Sequence, residues 1–415
     1  MARIVFVAAI TVLLLLQCYV VAFHVRLHKL SKPLHRAAHS HNRREAVLMA
    51  SRAVSVGIVG ATGAVGEEIL AVMQDRNFPA STVRLFASDK SAGRVVSTAK
   101  YGELTLEAFS FEVASSLDVV LLAVGGDFSL EWGERLSAAG VLVIDNSSAF
   151  RMRDDVPLVV PEINILAAKG KKLVANPNCT TAIALMALWP IHQKYKIKKA
   201  IISTYQAASG AGAPGMQELM DGMKSVVNGQ PAVNSVFAHP LPYNLIPHID
   251  VFQQNMYTKE EMKVTWESRK IMSSPDMKIS VTAVRIPTLR AHSEAITLEC
   301  EEKVSAQDVR ELLRLSPGVD VVDDPLNKKY PMPINATGKY NIEVGRIREN
   351  DVFGEYGLDL FVCGDQVNNS CHIVCAMLLC SILTRTITYL LAAEGRCTEC
   401  SHHRRATHVK KEGSS

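Results

Sequence analysis

The chain has 415 residues, of which 48% are hydrophobic and 21% charged. This length and composition predict a soluble globular protein with about two domains. Much of the excess positive charge, a formal +4, lies near the two ends of the chain, and the central body carries no basic stripe, which argues against nucleic-acid binding. The nine cysteines stand at irregular spacings that do not resemble a disulfide framework.

Residues 1–52 are predicted to be a bipartite targeting presequence. Residues 4–22 form an uncharged apolar run, typical of a signal-peptide core or a membrane anchor. Residues 23–52 are basic and contain one acid, Glu45, as transit peptides do. Joined at Phe23, the two parts resemble presequences of proteins imported into complex plastids, which predicts a stromal protein without stable membrane insertion. The alternative is a signal anchor with a basic stem, which would place the body in the secretory pathway.

The folded body is predicted to begin with a dinucleotide-binding unit. Residues 54–59 form a buried-strand run, a glycine turn follows over residues 60–66, and a helix is predicted over 67–74. Such glycines allow a pyrophosphate to approach the helix N-terminus closely. The GxxGxxG spacing is weaker evidence than GxGxxG, but the flanking strand and helix favour nucleotide binding over a generic turn. The expected contacts are Gly60, Thr62, Gly63, Ala64, Val65 and Gly66.

The turn after the second predicted strand, at residues 83–87, is the usual place where the ribose is recognised. Lys90 stands there between hydroxyl residues, Ser88 and Ser91, which favours the 2′-phosphate of NADP. Asp89 counts against this interpretation, because it could offset the lysine charge. We predict NADP as the cofactor.

The pattern of elements predicts an α/β fold with two domains. Apolar runs at 83–87, 119–124 and 141–144 alternate with helical segments, as in a doubly wound parallel sheet. After residue 179, strands are predicted at 200–205, 278–285 and 295–300 and helices at 216–227 and 259–271. The predicted division is a Rossmann-type NADP-binding domain (53–178 with 358–391), an α+β catalytic and dimerisation domain (179–357) and a disordered tail (392–415).

The segment Asn-Pro-Asn-Cys-Thr-Thr, residues 176–181, is predicted to join a strand ending at 173–175 to a helix over 182–189 that Pro190 ends. A cysteine on such a turn lies near the positive end of a helix dipole. This position lowers the pKa of a thiol and favours the nucleophilic thiolate. A single cysteine is more often inert packing, so the assignment of Cys179 as a nucleophile depends on the rest of the chain.

Six segments together resemble the aspartate-β-semialdehyde dehydrogenase family. In chain order they are GATGAVG (60–66), IDNSSAFRM (144–152), NPNCTT (176–181), STYQAASGAG (203–212), NLIPHIDVF (244–252) and VRIPTLRAHSE (284–294). The resemblance implies NADPH-dependent reductive dephosphorylation of L-aspartyl-4-phosphate to aspartate semialdehyde and phosphate, through a cysteine thioester. This step leads to lysine, threonine, methionine and isoleucine. The resemblance also implies a homodimer, or a tetramer, built mainly from residues 179–345.

The resemblance assigns roles to individual residues. It implies that Cys179 is the nucleophile, that His292 takes the thiol proton and later acts as an acid, and that Gln206 positions the acyl intermediate. The substrate contacts that it implies are Arg285 for the α-carboxylate, Glu261 for the ammonium group, and Arg151, Lys263 and Asn178 for the phosphate. A solvated helix face is the alternative for Glu261. The resemblance also places Ser209, Gly210 and Gln366 at the nicotinamide end of the cofactor.

Other enzyme families that use a cysteine thioester match this sequence less well. Glyceraldehyde-3-phosphate dehydrogenases differ in the residues around the cysteine, and N-acetyl-glutamyl-phosphate reductases usually have glycine where this chain has Asn178. A non-catalytic paralogue that binds nucleotide is the alternative from another class, and the retention of Cys179, His292 and Arg285 argues against it.

The carboxyl end departs from the family pattern. Residues 367–372 lack the basic, glycine-rich character expected there. The resemblance therefore gives weaker support to cofactor contacts in this loop than to the other cofactor contacts. A CxxC pair and two histidines at 397–403 form a weak metal signal without a second ligand pair. We interpret them as part of the disordered tail and predict no metal site.

Overall fold

The computed structural model describes residues 54–368 and residue 374. The predicted presequence (1–52) and the predicted tail (392–415) lie outside the described residues. So do residues 369–373 and 375–391, the end of the predicted nucleotide-binding domain. Within the described part, no helix has both the length and the apolar character needed to cross a membrane.

The first half of the described chain forms one sheet. Its strands are β1 Val54–Val59, β2 Ala80–Ala87, β3 Val95–Thr98, β4 Gly102–Ala108, β5 Val119–Leu122, β6 Leu142–Asp145 and β7 Leu173–Ala175. The order is β3-β4-β2-β1-β5-β6-β7, with every pair parallel except β3 with β4. The strand order reverses at β1, so a ligand crevice is expected outside the carboxyl ends of β1 and β5.

Helices connect these strands, as the apolar periodicity predicts. They are α1 Ala64–Asp75, α2 Phe111–Ser115, α3 Gly126–Ala138 and α4 Pro161–Asn164. The predicted doubly wound sheet is confirmed, with strand ends within three residues of expectation. α1 begins three residues earlier than predicted, because Gly63 caps it in an extended conformation and accepts the N–H of Glu67.

The second half forms a mixed six-stranded sheet with helices. The elements are α5 Cys179–Tyr195, β8 Ile197–Gln206, α6 Gly212–Val227, α7 Lys259–Ile271, β9 Lys278–Arg285, β10 His292–Cys300, α8 Ala306–Arg314, β11 Val319–Val321, α9 Pro333–Ala336, β12 Ile342–Glu349 and β13 Gly357–Gly364. The strand order is β11-β12-β13-β10-β8-β9. The predicted α+β second domain is confirmed, including the predicted bounds of α7 and β9.

One face of this sheet is buried and the other is partly open. Along β8 the side chains of Ile202, Thr204 and Gln206 are buried, while the alternating residues Ile201 and Tyr205 are 46% and 36% exposed. The buried face lies beneath α5, which contacts β8, β10, β12 and β13. The helix that begins at Cys179 is therefore packed directly on the second sheet.

Two predictions about boundaries are wrong. Pro190 lies inside α5 and does not end it, since the residues that follow, Ile191 and Tyr195, are buried in the core and their packing offsets the missing hydrogen bond. Residues 358–391 were assigned to the nucleotide domain, but β13 pairs between β10 and β12 of the second sheet, where its apolar residues are buried. The chain stays in the second domain at least to Gly364.

Candidate active site

A pocket of about 720 Å³ lies where α5 begins. Its lining includes seven of the predicted site residues: Arg151, Asn178, Cys179, Gln206, Gly210, Lys263 and Arg285. These residues come from a loop after β6, the start of α5, the ends of β8 and β9, and α7. The fold therefore gathers side chains that are more than 130 residues apart in the sequence into one polar cleft of ligand size.

Cys179 is the first residue of α5, on the predicted strand-to-helix turn. Asn178 caps the helix, and its side chain accepts the Thr181 N–H at 3.1 Å. Burial of the thiol, together with the nearby negative charge of Glu260, raises the pKa of Cys179 to about 11, although Thr180 and Arg151 act in the opposite direction. The prediction of a lowered thiol pKa is wrong, because burial of the thiol, and after it the charge of Glu260, outweigh the opposing effects of Thr180 and Arg151.

His292 is fully buried at the start of β10, beside the pocket. Its Nδ1 accepts the Ala207 N–H at 3.0 Å, which leaves the ring proton on Nε2 in the neutral form. Burial and the positive charge of Arg285 hold the pKa of His292 well below its usual range. Nε2 has no hydrogen-bond partner in the described part of the chain, so this N–H is available to donate to a bound group.

The structure places Glu260, and not Glu261, in the pocket. Glu261 closes a capping box at the start of α7: its Oε2 accepts the Thr258 N–H at 2.6 Å and its Oε1 accepts the Ala283 N–H at 2.9 Å. The predicted contact between Glu261 and a substrate ammonium is therefore wrong, since both carboxylate oxygens bind backbone amides.

Glu260 is the acid that faces the predicted nucleophile. Its Oε1 accepts hydrogen bonds from Asn178 Nδ2 at 3.0 Å and Gln206 Nε2 at 3.2 Å, and its Oε2 lies 3.1 Å from Lys263 Nζ. Burial raises the pKa of Glu260, but Lys263 and these hydrogen bonds outweigh it, and the pKa lies below its usual value. Glu260 is therefore ionised at neutral pH and suited to bind an ammonium group.

Two cations at the pocket have carboxylate partners. Lys263 Nζ lies 2.7 Å from Asp250 Oδ2, in addition to its contact with Glu260. Arg151 Nη1 lies 3.0 Å from Glu267 Oε1, and its Nη2 donates to the Asn146 carbonyl at 2.9 Å. Both cations are thus held in place before any anion binds.

Glu267 on α7 is a residue that the sequence analysis missed. It is 1% exposed, and besides Arg151 it accepts the backbone N–H of Asn178 at 2.6 Å. One carboxylate therefore orients both the predicted phosphate-binding guanidinium and the turn that carries Cys179. The contact between Glu267 and Asn178 could not be inferred from the sequence, since the two residues are 89 positions apart.

Arg285 is buried at the end of β9, and its Nη1 donates to the Ala207 carbonyl at 2.6 Å. The guanidinium carbon lies 5.6 Å from the ring centre of Phe237. In the described part of the chain Arg285 makes no ion pair, which leaves its charge available to an anionic ligand. The pKa of Arg285 is lowered by burial, against the charges of Glu260 and Cys179, and the group stays protonated at neutral pH.

The crevice above β1 and α1 fits a dinucleotide. Gly60 has φ of +83°, and a Cβ there would lie 2.2 Å from the Ala123 carbonyl oxygen. A Cβ on Gly66 would lie 2.2 Å from the Gly60 carbonyl oxygen. Both positions therefore need glycine, and the turn that they form places Thr62, Gly63, Ala64 and Val65 at the helix N-terminus.

The predicted ribose-recognition residues lie on an exposed turn after β2. Ser88, Asp89 and Lys90 are exposed and Ser91 is half-buried, with the Ser91 N–H donating to the Ser88 carbonyl at 2.9 Å. Lys90 and Asp89 form no ion pair in residues 54–368, so the lysine charge is not offset in the way that counted against NADP.

Gly210 lines the pocket close to Arg285 and His292. A Cβ on Gly210 would lie 2.7 Å from Arg285 Nη1 and 3.4 Å from His292 Nε2. Ser209 accepts a hydrogen bond from Gln366 Nε2, while Gln366 Oε1 is buried without a hydrogen-bond partner among the described residues. This free acceptor suits the amide of a nicotinamide, so the residues present fit the predicted cofactor. Among residues 54–368, no cluster of three or more histidine, cysteine or acidic residues could hold a metal ion.

Comparison with known families defines the class of protein. The family described as "Semialdehyde dehydrogenase, NAD binding domain" matches residues 55–170, and "Semialdehyde dehydrogenase, dimerisation domain" matches residues 188–368. Their order and bounds agree with the two sheets. The chain is thus an oxidoreductase of the semialdehyde dehydrogenase class, with a nicotinamide-nucleotide-binding domain and a dimerisation domain.

Individual relatives narrow the class. The chain is 46% identical over 317 residues to the aspartate-semialdehyde dehydrogenase of Aquifex aeolicus, an alignment that spans 75% of this chain and 93% of that protein. It is 43% identical over 316 residues to the enzyme of Synechocystis sp., over 76% of this chain and 93% of that protein. The crystal structure of aspartate semialdehyde dehydrogenase II complexed with ASA, from Vibrio cholerae, is 35% identical, with a TM-score of 0.75 over 80% of this chain and 99% of that one. The chain belongs to the aspartate-semialdehyde dehydrogenase family.

Proposed function

We propose that this protein reduces L-aspartyl-4-phosphate to L-aspartate-4-semialdehyde and phosphate with NADPH, in the biosynthesis of lysine, threonine, methionine and isoleucine. The observation that carries the proposal is the single pocket that joins Cys179 to a free guanidinium, Arg285, and a buried carboxylate, Glu260. These two charges complement the α-carboxylate and α-ammonium of an amino acid. Arg151 and Lys263 supply positive charge for a phosphate in the same pocket.

Substrate binding prepares the nucleophile in this scheme. The negative charge of Glu260 contributes, after burial, to the high pKa of the Cys179 thiol. An ammonium group bound to Glu260 offsets that charge and makes the thiolate easier to form. The thiol loses its proton to solvent water as the sulfur attacks the acyl carbon, the C–O bond to phosphate breaks, and a thioester forms on Cys179 while phosphate leaves against Arg151 and Lys263.

Reduction of the thioester follows in the same pocket. When bound, NADPH supplies a hydride to the thioester carbon. The Nε2–H of His292 is positioned to donate to the carbonyl oxygen as negative charge develops there. Gln206 is held by Glu260 and by Thr204, whose hydroxyl donates to Gln206 Oε1 at 3.0 Å, so its side chain is fixed for orienting the acyl group. The C–S bond then breaks, aldehyde is released, and the thiolate takes up a proton.

The preference for NADP is part of the proposal. The exposed Lys90 between Ser88 and Ser91 supports it, because a cation that has no ion pair among residues 54–368 can bind the 2′-phosphate that NAD lacks. Measurement of both cofactors with the purified protein tests this preference.

The assembly is proposed to be a homodimer, with a tetramer as the alternative. The family match to a dimerisation domain over residues 188–368 supports it, as does the open sheet face with Ile201 and Tyr205. Light scattering tests it: an active monomer at micromolar concentration would contradict the proposal.

The stroma of a complex plastid is the proposed location, on the evidence of residues 1–52 alone. A reporter fused behind these residues should reach the plastid, and a fusion with Phe23 changed should stop earlier on the route. Secretion or stable membrane retention of the unchanged fusion would contradict the proposal.

The activity itself is tested with purified protein lacking residues 1–52. Oxidation of NADPH is measured with aspartyl phosphate, and the reverse reaction with aspartate semialdehyde, phosphate and NADP. Activity with N-acetyl-glutamyl phosphate in place of aspartyl phosphate would favour a sister reductase. Cofactor binding without turnover of either substrate would favour a non-catalytic paralogue.

A further inference from the structure

A short loop covers part of the pocket without belonging to a helix or strand. Residues 234–238, here named the roof loop, contribute Ser235, Val236, Phe237 and Ala238 to the pocket lining. An irregular loop over a substrate pocket needs some means of being held in place, since it lacks the backbone hydrogen bonds of a sheet or helix.

One carboxylate on α6 binds three consecutive backbone amides of the roof loop. Glu218 Oε2 accepts the N–H of Ser235 and of Val236, each at 2.6 Å, and Oε1 accepts the N–H of Phe237 at 3.1 Å. The Ser235 hydroxyl also donates to Oε2 at 2.9 Å. Burial raises the pKa of Glu218, but these backbone hydrogen bonds outweigh it, and the net pKa lies below the usual value. The contact is therefore made by an ionised carboxylate at neutral pH.

The hydrogen bonds to Glu218 hold Phe237 in place, and Phe237 in turn contacts Arg285. Phe237 is 9% exposed and packs with Ala208, Leu219, Leu241 and Ile246 in a small hydrophobic cluster. Its ring centre lies 5.6 Å from the guanidinium carbon of Arg285. The ring thus covers one side of the guanidinium, while the Ala207 carbonyl accepts a hydrogen bond from Nη1.

The rest of the segment that covers the pocket has separate anchors. Ile246 and Arg285 exchange two backbone hydrogen bonds, of 2.9 and 2.8 Å, and Asp250 binds Lys263. These anchors lie nine or more residues beyond Phe237 in the chain. They do not hold the roof loop itself, whose backbone amides are bound by Glu218.

We propose that Glu218 is a positioning residue for substrate binding: it holds the roof loop so that Phe237 fixes Arg285 in the orientation that binds the substrate carboxylate. The inference rests on the proposed function, because Arg285 is assigned there to the α-carboxylate. It adds a residue outside the pocket lining to the apparatus that determines affinity for the substrate.

The test compares Glu218→Gln and Glu218→Ala with wild type, and Asp221→Asn serves as the matched control. Asp221 lies on the same helix, and within the described residues its carboxylate binds the exposed side chains of Gln217 and Lys224 and no backbone amide of the roof loop. In the reverse reaction, we expect the KM for aspartate semialdehyde to rise about three- to thirtyfold in the Glu218 variants, the range implied by a lost or loosened cation–π contact. The kcat should stay within about threefold, the KM for NADP within about twofold, and the control should match wild type.

A structural readout accompanies the kinetics. Hydrogen exchange should be faster at the amides of residues 235–237 in the Glu218 variants, with α6 and the rest of the chain unchanged. A Glu218→Ala, Phe237→Leu double variant should have the same KM as Phe237→Leu alone, because both changes remove one contact with Arg285.

Each result bears on the proposal. An unchanged KM, or additive effects in the double variant, would overturn the link through Phe237. A fall in kcat and a rise in both KM values of similar size, together with a lower Tm, would show that Glu218 has a general structural role. This result would also overturn the proposal. An inactive wild-type protein would refute the proposed function and the role of Arg285 with it, whereas an active wild type with unaffected Glu218 variants would refute only the inference.

Discussion

The substitution Glu260→Gln distinguishes the roles of the two neighbouring acids at the start of α7. Glu260 contacts Asn178, Gln206 and Lys263 in the pocket, whereas Glu261 binds only backbone amides outside it. Glu260→Gln should therefore lower the pKa of the Cys179 thiol and weaken substrate binding. Glu261→Gln is the matched control, because it makes the same chemical change one residue away.

The expected size of each effect follows from the contacts. A carboxylate within about 4–6 Å of a titrating group shifts its pKa by about 1–3 units. Glu260 is the second cause, after burial, of the rise in the Cys179 pKa to about 11, so we expect its removal to lower that pKa by about one unit. Loss of a charged partner for the substrate ammonium costs about 1.5–3 kcal/mol, which corresponds to a rise in KM of about 10- to 150-fold.

The assay is the rate of iodoacetamide alkylation of Cys179, located by mass spectrometry and corrected with Cys179→Ser. At a pH below the thiol pKa, a drop of one unit raises the thiolate fraction about tenfold, and the lower nucleophilicity of the thiolate reduces the gain in rate to about threefold. Glu261→Gln should leave this rate and the KM unchanged and lower the free energy of unfolding by about 0.5–2 kcal/mol, as loss of a helix cap does. An unchanged alkylation rate in Glu260→Gln, or a faster one in Glu261→Gln, would refute the placement of the two acids.

Three further changes test other parts of the structure. Cys179→Ser should abolish turnover while folding and NADPH binding persist, since a serine hydroxyl is far less ionised than a thiol; activity above a few per cent of wild type would remove Cys179 from the mechanism. Lys90→Ala should raise the KM for NADP much more than that for NAD, and equal losses would show that the 2′-phosphate is bound elsewhere. Glu294 is fully buried with neither oxygen bonded in the described part of the chain, and burial raises its pKa well above the usual value. The protonated Glu294 therefore contributes its full stability below the unfolded pKa of about 4.3, and this contribution declines as pH rises toward the folded pKa. The Tm of Glu294→Gln, relative to that of wild type, should therefore rise from acidic to alkaline pH. A Tm difference that does not change with pH would contradict this prediction.

Local signals in the sequence were sufficient for most of the fold. The strand, glycine turn and helix at residues 54–75 follow from apolar runs and from glycines that the structure requires at 60 and 66. The bounds of α7 were predicted correctly, and the structure supplies the reason: Thr258 and Glu261 form a capping box that fixes the first turn. Such features depend on residues close together in the chain, and for that reason one sequence suffices to find them.

Features that depend on how elements pack could not be found in this way. Successive residues on a helix point about 100° apart, so the choice between Glu260 and Glu261 depends on how α7 packs against β9 and α5. The length of α5 beyond Pro190 likewise reflects burial of Ile191 and Tyr195 by distant strands. The contacts of Glu267 with Asn178 and of Glu218 with the roof loop join separate elements, and no local pattern marks either acid.

The cations of the pocket differ in whether a carboxylate is paired with them in the described part of the chain. Lys263 and Arg151 are each paired with a carboxylate, whereas the Arg285 guanidinium donates to a backbone carbonyl and has no ion pair among residues 54–368. A substrate carboxylate can therefore bind Arg285 without displacing an internal acid, whereas a phosphate must share Arg151 and Lys263 with Glu267, Asp250 and Glu260. The negative charge of Glu260, which also contacts Lys263, adds to burial in raising the pKa of the Cys179 thiol. In the proposed mechanism, an ammonium group bound to Glu260 offsets that charge, so the binding of an amino-acid substrate favours ionisation of the thiol.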